Sequence, residues 1–111
     1  MKDLDPTADA RRERERRQAD AAEQARIRKD VQKVMQLPES RRILWRFLQA
    51  MGYERSAFSP NAMTQSRAIG LQEAGQWWID MVREYCPEQE SAMRAEARVA
   101  SLNDEEEGND D

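Results

Sequence analysis

The sequence predicts an all-α protein: a small helical bundle of three to four helices, with a long, partly solvated N-terminal helix and a disordered acidic C-terminal tail. Three observations predict it. Apolar residues recur at three- and four-residue spacing through the middle of the chain, and no stretch alternates with period two for long enough to be a strand. The prolines Pro6, Pro38, Pro60 and Pro87 each stand where a helix can start, since a first-turn proline lacks only an N–H that the helix does not use. Charge is also unevenly spread. Residues 1–30 hold nine bases and eight acids, and residues 103–111 hold six acids and no base. All seven aromatics and 14 of the 16 Leu, Ile, Val and Phe residues fall in between. The chain thus divides into a charged N-terminal helical arm (1–30), a helical core domain (31–102) and an acidic tail (103–111).

The first helix has Asp5 as a cap and Pro6 at its first position, and residues 8–36 contain neither Gly nor Pro. Glu13 and Arg17, four apart in the favourable order, form an expected pair worth about 0.2–0.5 kcal/mol. An apolar stripe begins only at Ile27 and continues through Val31, Val34 and Met35. One long helix is expected, solvated in its first half and docked over its last two turns.

Pro38 ends that helix by disfavouring helical geometry at Leu37, and it opens the second with Glu39 in the first turn. Ile43, Leu44, Phe47, Leu48 and Met51 make its buried face, and Gly52 is its stop. After a linker from Tyr53 to Phe58, Ser59-Pro60 signals the third helix, which should run to about Cys86. Its expected face holds Met63, Arg67, Gly70, Leu71, Ala74, Trp78, Met81, Val82 and Tyr85. Ser66, Gly70 and Ala74 form a ladder of small residues four apart. Gly70 and Gly75 each cost about 0.8–1.0 kcal/mol inside a helix, which points to close approach by a neighbouring element. Pro87-Glu88 then repeats the start signal. A fourth helix over 88–101 carries Met93, Ala97 and Ala100 on one face, with Val99 and Leu102 near its end.

Composition excludes most chemistry. The 111 residues include no histidine and one cysteine, with 18 Lys+Arg against 22 Asp+Glu. Absence of histidine removes the commonest general base and metal ligand, and a single thiol forbids an internal disulfide or a multi-thiol zinc site. No phosphate loop or nucleophile motif occurs, so no enzyme, no catalytic residue, no cofactor and no metal are expected. Cys86, just before Pro87, reads as a helix-end core thiol. Residues 1–9 carry Lys2, Asp3, Asp5 and Asp9 with no apolar run behind them, unlike a signal peptide. The apolar runs are far too short to span a bilayer.

Binding surfaces remain. Arg11, Arg12, Arg14, Arg16 and Arg17 could touch phosphates, although the interleaved Glu13 and Glu15 favour a solvated helix laced with ion pairs. Arg41, Arg42 and Arg46 form a basic edge on the second helix, read either as an anion site or, the favoured alternative, as a solvated face. Trp77 and Trp78 point about 100° apart, so they do not share one core. With Trp78 on the buried stripe, Trp77 either covers a second neighbour, the reading a small domain favours, or stands exposed as a partner anchor. Trp45, offset from the Ile43 side, poses the same question.

The middle of the chain resembles a family of small proteins of tailed bacteriophages, chiefly short-tailed podoviruses. The residues that carry the likeness are Pro38-Glu39-Ser40-Arg41-Arg42-Ile43-Leu44-Trp45-Arg46-Phe47-Leu48, Gly52, Arg55-Ser56-Ala57-Phe58 and Asn61-Ala62-Met63-Thr64. The glycines Gly70 and Gly75 follow, then Cys86-Pro87-Glu88 leading to Met93 and Glu96-Ala97. The likeness spans about residues 30–97. Ile69, Leu71 and Gln72 depart from it, since the family usually places an acid before the first of those glycines and bases after it. The resemblance implies a product of the virion-structural gene cassette, with no catalytic residues to carry over. The expected function is therefore a virion-associated or assembly protein that binds portal, tail or capsid-associated proteins or another copy of itself. It would be made in the host cytoplasm and then carried in the virion. Two rivals are a nucleic-acid-associated protein using the arginine surfaces and an early inhibitor of a host protein.

Overall fold

The computed structural model describes residues 6–108. Four helices follow in order: α1 (Pro6–Met35), α2 (Pro38–Ala50), α3 (Ala62–Tyr85) and α4 (Pro87–Gly108). No strand occurs among the described residues, so the fold is an all-α small helical bundle. No helix among them is long and apolar enough to cross a membrane. The chain forms two compact units, Met1–Asp30 and Val31–Asp111.

The described part of the first unit is residues 6–30 of α1. Pro6 opens the helix and Asp9 places an acid at its positive pole. The cap expected from Asp5 lies outside the described residues. Apart from the half-buried Ala8 and Ile27, every side chain from 6 to 30 is exposed. Asp9–Arg12 at 2.8 Å, Glu13–Arg16 at 3.5 Å and Glu23–Arg26 at 2.8 Å lace its surface. Glu13 thus pairs with Arg16, three residues on, and not with the Arg17 its spacing suggested. Both positions neighbour Glu13 on a helix, and pairs this exposed contribute little.

The second unit takes in the last turn of α1 and the other three helices, with α4 packed on both α2 and α3. Its core is Val31, Met35, Leu44, Leu48, Ile79, Val82, Cys86 and Met93. Cys86 is a buried free thiol, pushed up in pKa by that burial and by the nearby Glu88. Gln32 ties α1 to α3 by donating to the Tyr85 carbonyl at 3.0 Å.

Leu37 is extended before Pro38 (φ −87°, ψ 124°), as the proline ring demands, and α2 starts there without a side-chain cap. Its buried line is Leu44 and Leu48. Ile43, expected beside them, is 66% exposed, because it is turned a full 100° from Leu44. Gly52 ends the helix with φ +66°. Its N–H reaches the Gln49 carbonyl and that of Tyr53 reaches Leu48, a Schellman pair that only a left-handed residue closes.

α3 starts later than Ser59-Pro60 suggested. Asn61 is the cap, its side-chain oxygen accepting from the Thr64 N–H at 3.0 Å. Ser59 instead accepts from the Asn61 N–H at 3.1 Å and shapes the turn. The inner face of α3 is Gly75, Ile79 and Val82; Val82 lies on the expected face, whereas Gly75 and Ile79 lie to one side of it. Met63, Gly70 and Ala74 face outward, and Trp78 is half-buried. Close approach occurs at Gly75 alone: an added Cβ would lie 3.2 Å from Tyr53 Cδ2 and 3.3 Å from Leu48 Cδ2, whereas at Gly70 nothing lies within 4 Å. The ladder of Ser66, Gly70 and Ala74 is exposed.

α4 runs past residue 101 to Gly108, with residues 98–108 all exposed. α4 thus extends into the acidic segment as far as Gly108. Residues 109–111 of that segment lie outside the described residues.

Candidate functional site

Two surfaces of the second unit gather the residues that sequence pattern singled out. One is a groove of about 850 Å³ between α2 and α4, lined by Arg41, Arg42, Trp45, Arg46, Met93, Glu96, Ala97 and Asp104 among others. The other is the outer face of α3.

The groove rests on Arg41. Its side chain is 11% exposed, with the guanidinium 2.7 Å from Glu96. Nη1 donates to the Met35 carbonyl at 2.8 Å and to Gln89 Oε1 at 3.2 Å. One arginine therefore joins the end of α1 to α2 and α4. It is neither the solvated residue expected on a basic edge nor a free anion site, because Glu96 already neutralises it. Arg42 and Arg46 do remain exposed and form the groove's lip.

Trp45 is half-buried at the boundary between this groove and a smaller hollow of about 410 Å³ lined by Gly52, Tyr53 and Arg55. The guanidinium carbon of Arg94 sits 5.6 Å from its ring centroid. Arg94 also binds Glu54 and, at 3.0 Å through Nε, Glu90. Arg83 from α3 reaches the same Glu90 at 2.7 Å. The hydrogen bond from Arg83, joined by that from Arg94, holds the Glu90 carboxyl below its ordinary pKa against the opposing effect of burial. Glu90 and Glu54 in turn hold Arg83 and Arg94 charged, with pKa values raised. This network links all three helices of the bundle with the 51–61 connection. It was missed from sequence: Glu90 and Arg94 have helical i,i+4 spacing, but nothing local pairs Glu54 with Arg94.

On α3, Trp77 is 58% exposed, and its ring meets the edge of Trp78 at 5.4 Å and 87°. The expectation that Trp77 covers a second neighbour is therefore corrected, because α3 carries apolar residues on nearly every side and only one side is buried. Met63, 84% exposed, and the small residues Ser66, Gly70 and Ala74 lie along the same outward face.

The structure thus brings Arg41, Arg42, Trp45 and Arg46 together at one groove and places Trp77 with the small-residue ladder elsewhere. Gly75 belongs to neither surface. Arg11, Arg12, Arg14, Arg16 and Arg17 belong to the first unit, with Arg12 and Arg16 engaged by acids. Among the described residues no group of three or more His, Cys, Asp or Glu side chains is arranged to hold a metal ion.

Comparison with family models, with curated proteins and with solved structures finds no match.

Proposed function

We propose that this chain is a bacteriophage virion-associated or assembly protein that acts by binding another protein and performs no catalysis. The observation that carries the reading is the outward face of α3. Trp77 and Met63 stand exposed there beside residues small enough to let another backbone approach. Exposed tryptophan is costly surface for a chain with so thin a core, and tryptophan is the residue type most enriched among binding hot spots. The phage setting comes from the sequence resemblance, and the partners it suggests are portal, tail or capsid-associated proteins. Mass spectrometry of purified virions and procapsids tests it: the chain should be found in at least one, and absence from both overturns the reading.

A nucleic-acid role is the second reading. It is favoured by Arg14 and Arg17, which are exposed and make no ion pair among the described residues. It requires salt-dependent retention on DNA that weakens when those arginines are neutralised. A chain that passes through a DNA column at low salt removes it.

A further inference from the structure

The groove between α2 and α4 has an apolar floor and a basic lip. Trp45, Met93 and Ala97 line the floor. Arg42 and Arg46, one turn apart and exposed, make the lip, whereas Arg41 is already matched by Glu96. The complementary occupant is a helix with an apolar strip followed by acids, read as an amphipathic helix seated in a groove.

α4 itself carries such a segment beyond the core. Ala95, Val99 and Leu102 recur at spacings of four and three along one side, with Val99 57% and Leu102 54% exposed. Asp104, Glu105, Glu106 and Glu107 follow, all exposed, and no base occurs after Arg98. Acids crowded at the C-terminal end of a helix oppose its macrodipole and repel each other, so this segment gains from an external cation. It cannot serve its own groove, because α4 from Met93 to Asp104 forms that groove's wall.

The geometry points to a second copy of this chain as the occupant, each copy laying the end of its α4 into the α2–α4 groove of the other about a two-fold axis. Val99 and Leu102 cover the apolar floor, and the acids that follow meet Arg42 and Arg46. Val99 also stands on the rim of its own groove, so the two apolar strips adjoin at the axis. The same patch is then used twice, as an isologous dimer requires. A nucleic acid fits this groove less well. Two unmatched arginines are few for a phosphate backbone, where affinity comes from neutralising many phosphates at once.

This inference goes beyond the virion reading, because it uses the α2–α4 groove and not the outward face of α3. Sedimentation of the full-length chain at increasing concentration tests it. The wild type should form a dimer that weakens with salt. Arg42→Glu with Arg46→Glu, and separately Glu105→Lys with Glu106→Lys, should each weaken it about tenfold or more with helicity unchanged by circular dichroism. An equimolar mixture of the two variants should restore the dimer, since both grooves then face an opposite charge. A wild type that stays monomeric, a dimer that persists in both variants, or a mixture that fails to pair each overturns the proposal. So does a monomer that retains duplex DNA through Arg42 and Arg46. A monomer present in virions sinks the dimer alone, and a dimer absent from virions and procapsids sinks the virion reading alone.

Discussion

Arg94 lies over the ring of Trp45, its guanidinium carbon 5.6 Å from the centroid, while the same guanidinium binds Glu54 and Glu90. The contact brings α4, α2 and the connection after α2 to one point. An arginine held by two acids keeps its plane fixed, which suits the stacking geometry over an aromatic face. Replacing Arg94 by Ala should destabilise the fold by about 1–2 kcal/mol, the sum of one partly solvated cation–π contact and partly screened ion pairs. Arg94→Lys should recover only part of this, because an ammonium cannot stack and bridge at once. Urea denaturation of the two variants checks both values.

The two glycines within α3 should respond oppositely to alanine. At Gly70 an added methyl meets nothing within 4 Å, so Gly70→Ala should stabilise by up to about 1 kcal/mol through helix propensity alone. At Gly75 the methyl would press on Tyr53 and Leu48 at 3.2 and 3.3 Å. Leu48 is buried, and the Tyr53 hydroxyl is engaged with Gln76 at 3.2 Å, so neither yields freely. Gly75→Ala should fall at least about 1 kcal/mol below Gly70→Ala, and Gly75→Leu should destabilise by about 2 kcal/mol or more. Thermal melts of the three variants measure the order.

These glycines also mark how far the sequence could be read. Helix ends were legible because Pro38, Pro87 and Gly52 act through their own backbone geometry, independent of the rest of the fold. The rotation of α3 was not. Val82 lay on the expected face, but Ile79 competes with Trp78 and Met81 as a candidate core residue, and a helix apolar on many sides does not declare which side its neighbours cover. One of those neighbours is Tyr53, whose ring closes on Gly75 beside Leu48 from a connection with no periodicity to read. At the groove the arginine cluster of α2 was visible in composition. Which arginine is neutralised depended on Glu96, 55 residues away in sequence, and a contact so remote leaves no local trace.

Acid should loosen the α3–α4 contact through Glu90. Hydrogen bonds from Arg83 and Arg94 lower its folded pKa below the ordinary carboxyl value near 4.5. A carboxyl depressed on folding stabilises the native state above its unfolded pKa, and that contribution disappears as pH falls through the lower folded value. The wild type should therefore lose stability below about pH 4.5 through this site. Glu90→Gln should be less stable at neutral pH and show a flatter decline in acid. Chemical denaturation across pH 3–7 for both proteins reads the difference, and parallel curves would exclude Glu90 as the source.

The arginines of α2 give the sharpest contrast, since one sequence cluster is divided by the fold into one structural residue and two surface ones. Arg41→Ala removes the donor to the Met35 carbonyl and the cation facing Glu96 and Gln89. Glu96 is partly solvated and recovers some hydration, but the Met35 carbonyl caps the buried end of α1 and loses its side-chain donor. The expected cost is about 2–3 kcal/mol. Arg41→Lys should restore little of it, because one ammonium cannot span three acceptors. Arg42→Ala and Arg46→Ala, which leave only solvent-facing lip positions, should each stay within about 0.5 kcal/mol of wild type when measured at concentrations too low for self-association. Equal losses at all three positions would mean that the lip arginines are bound within the chain, and that the groove presents no free positive charge to any partner.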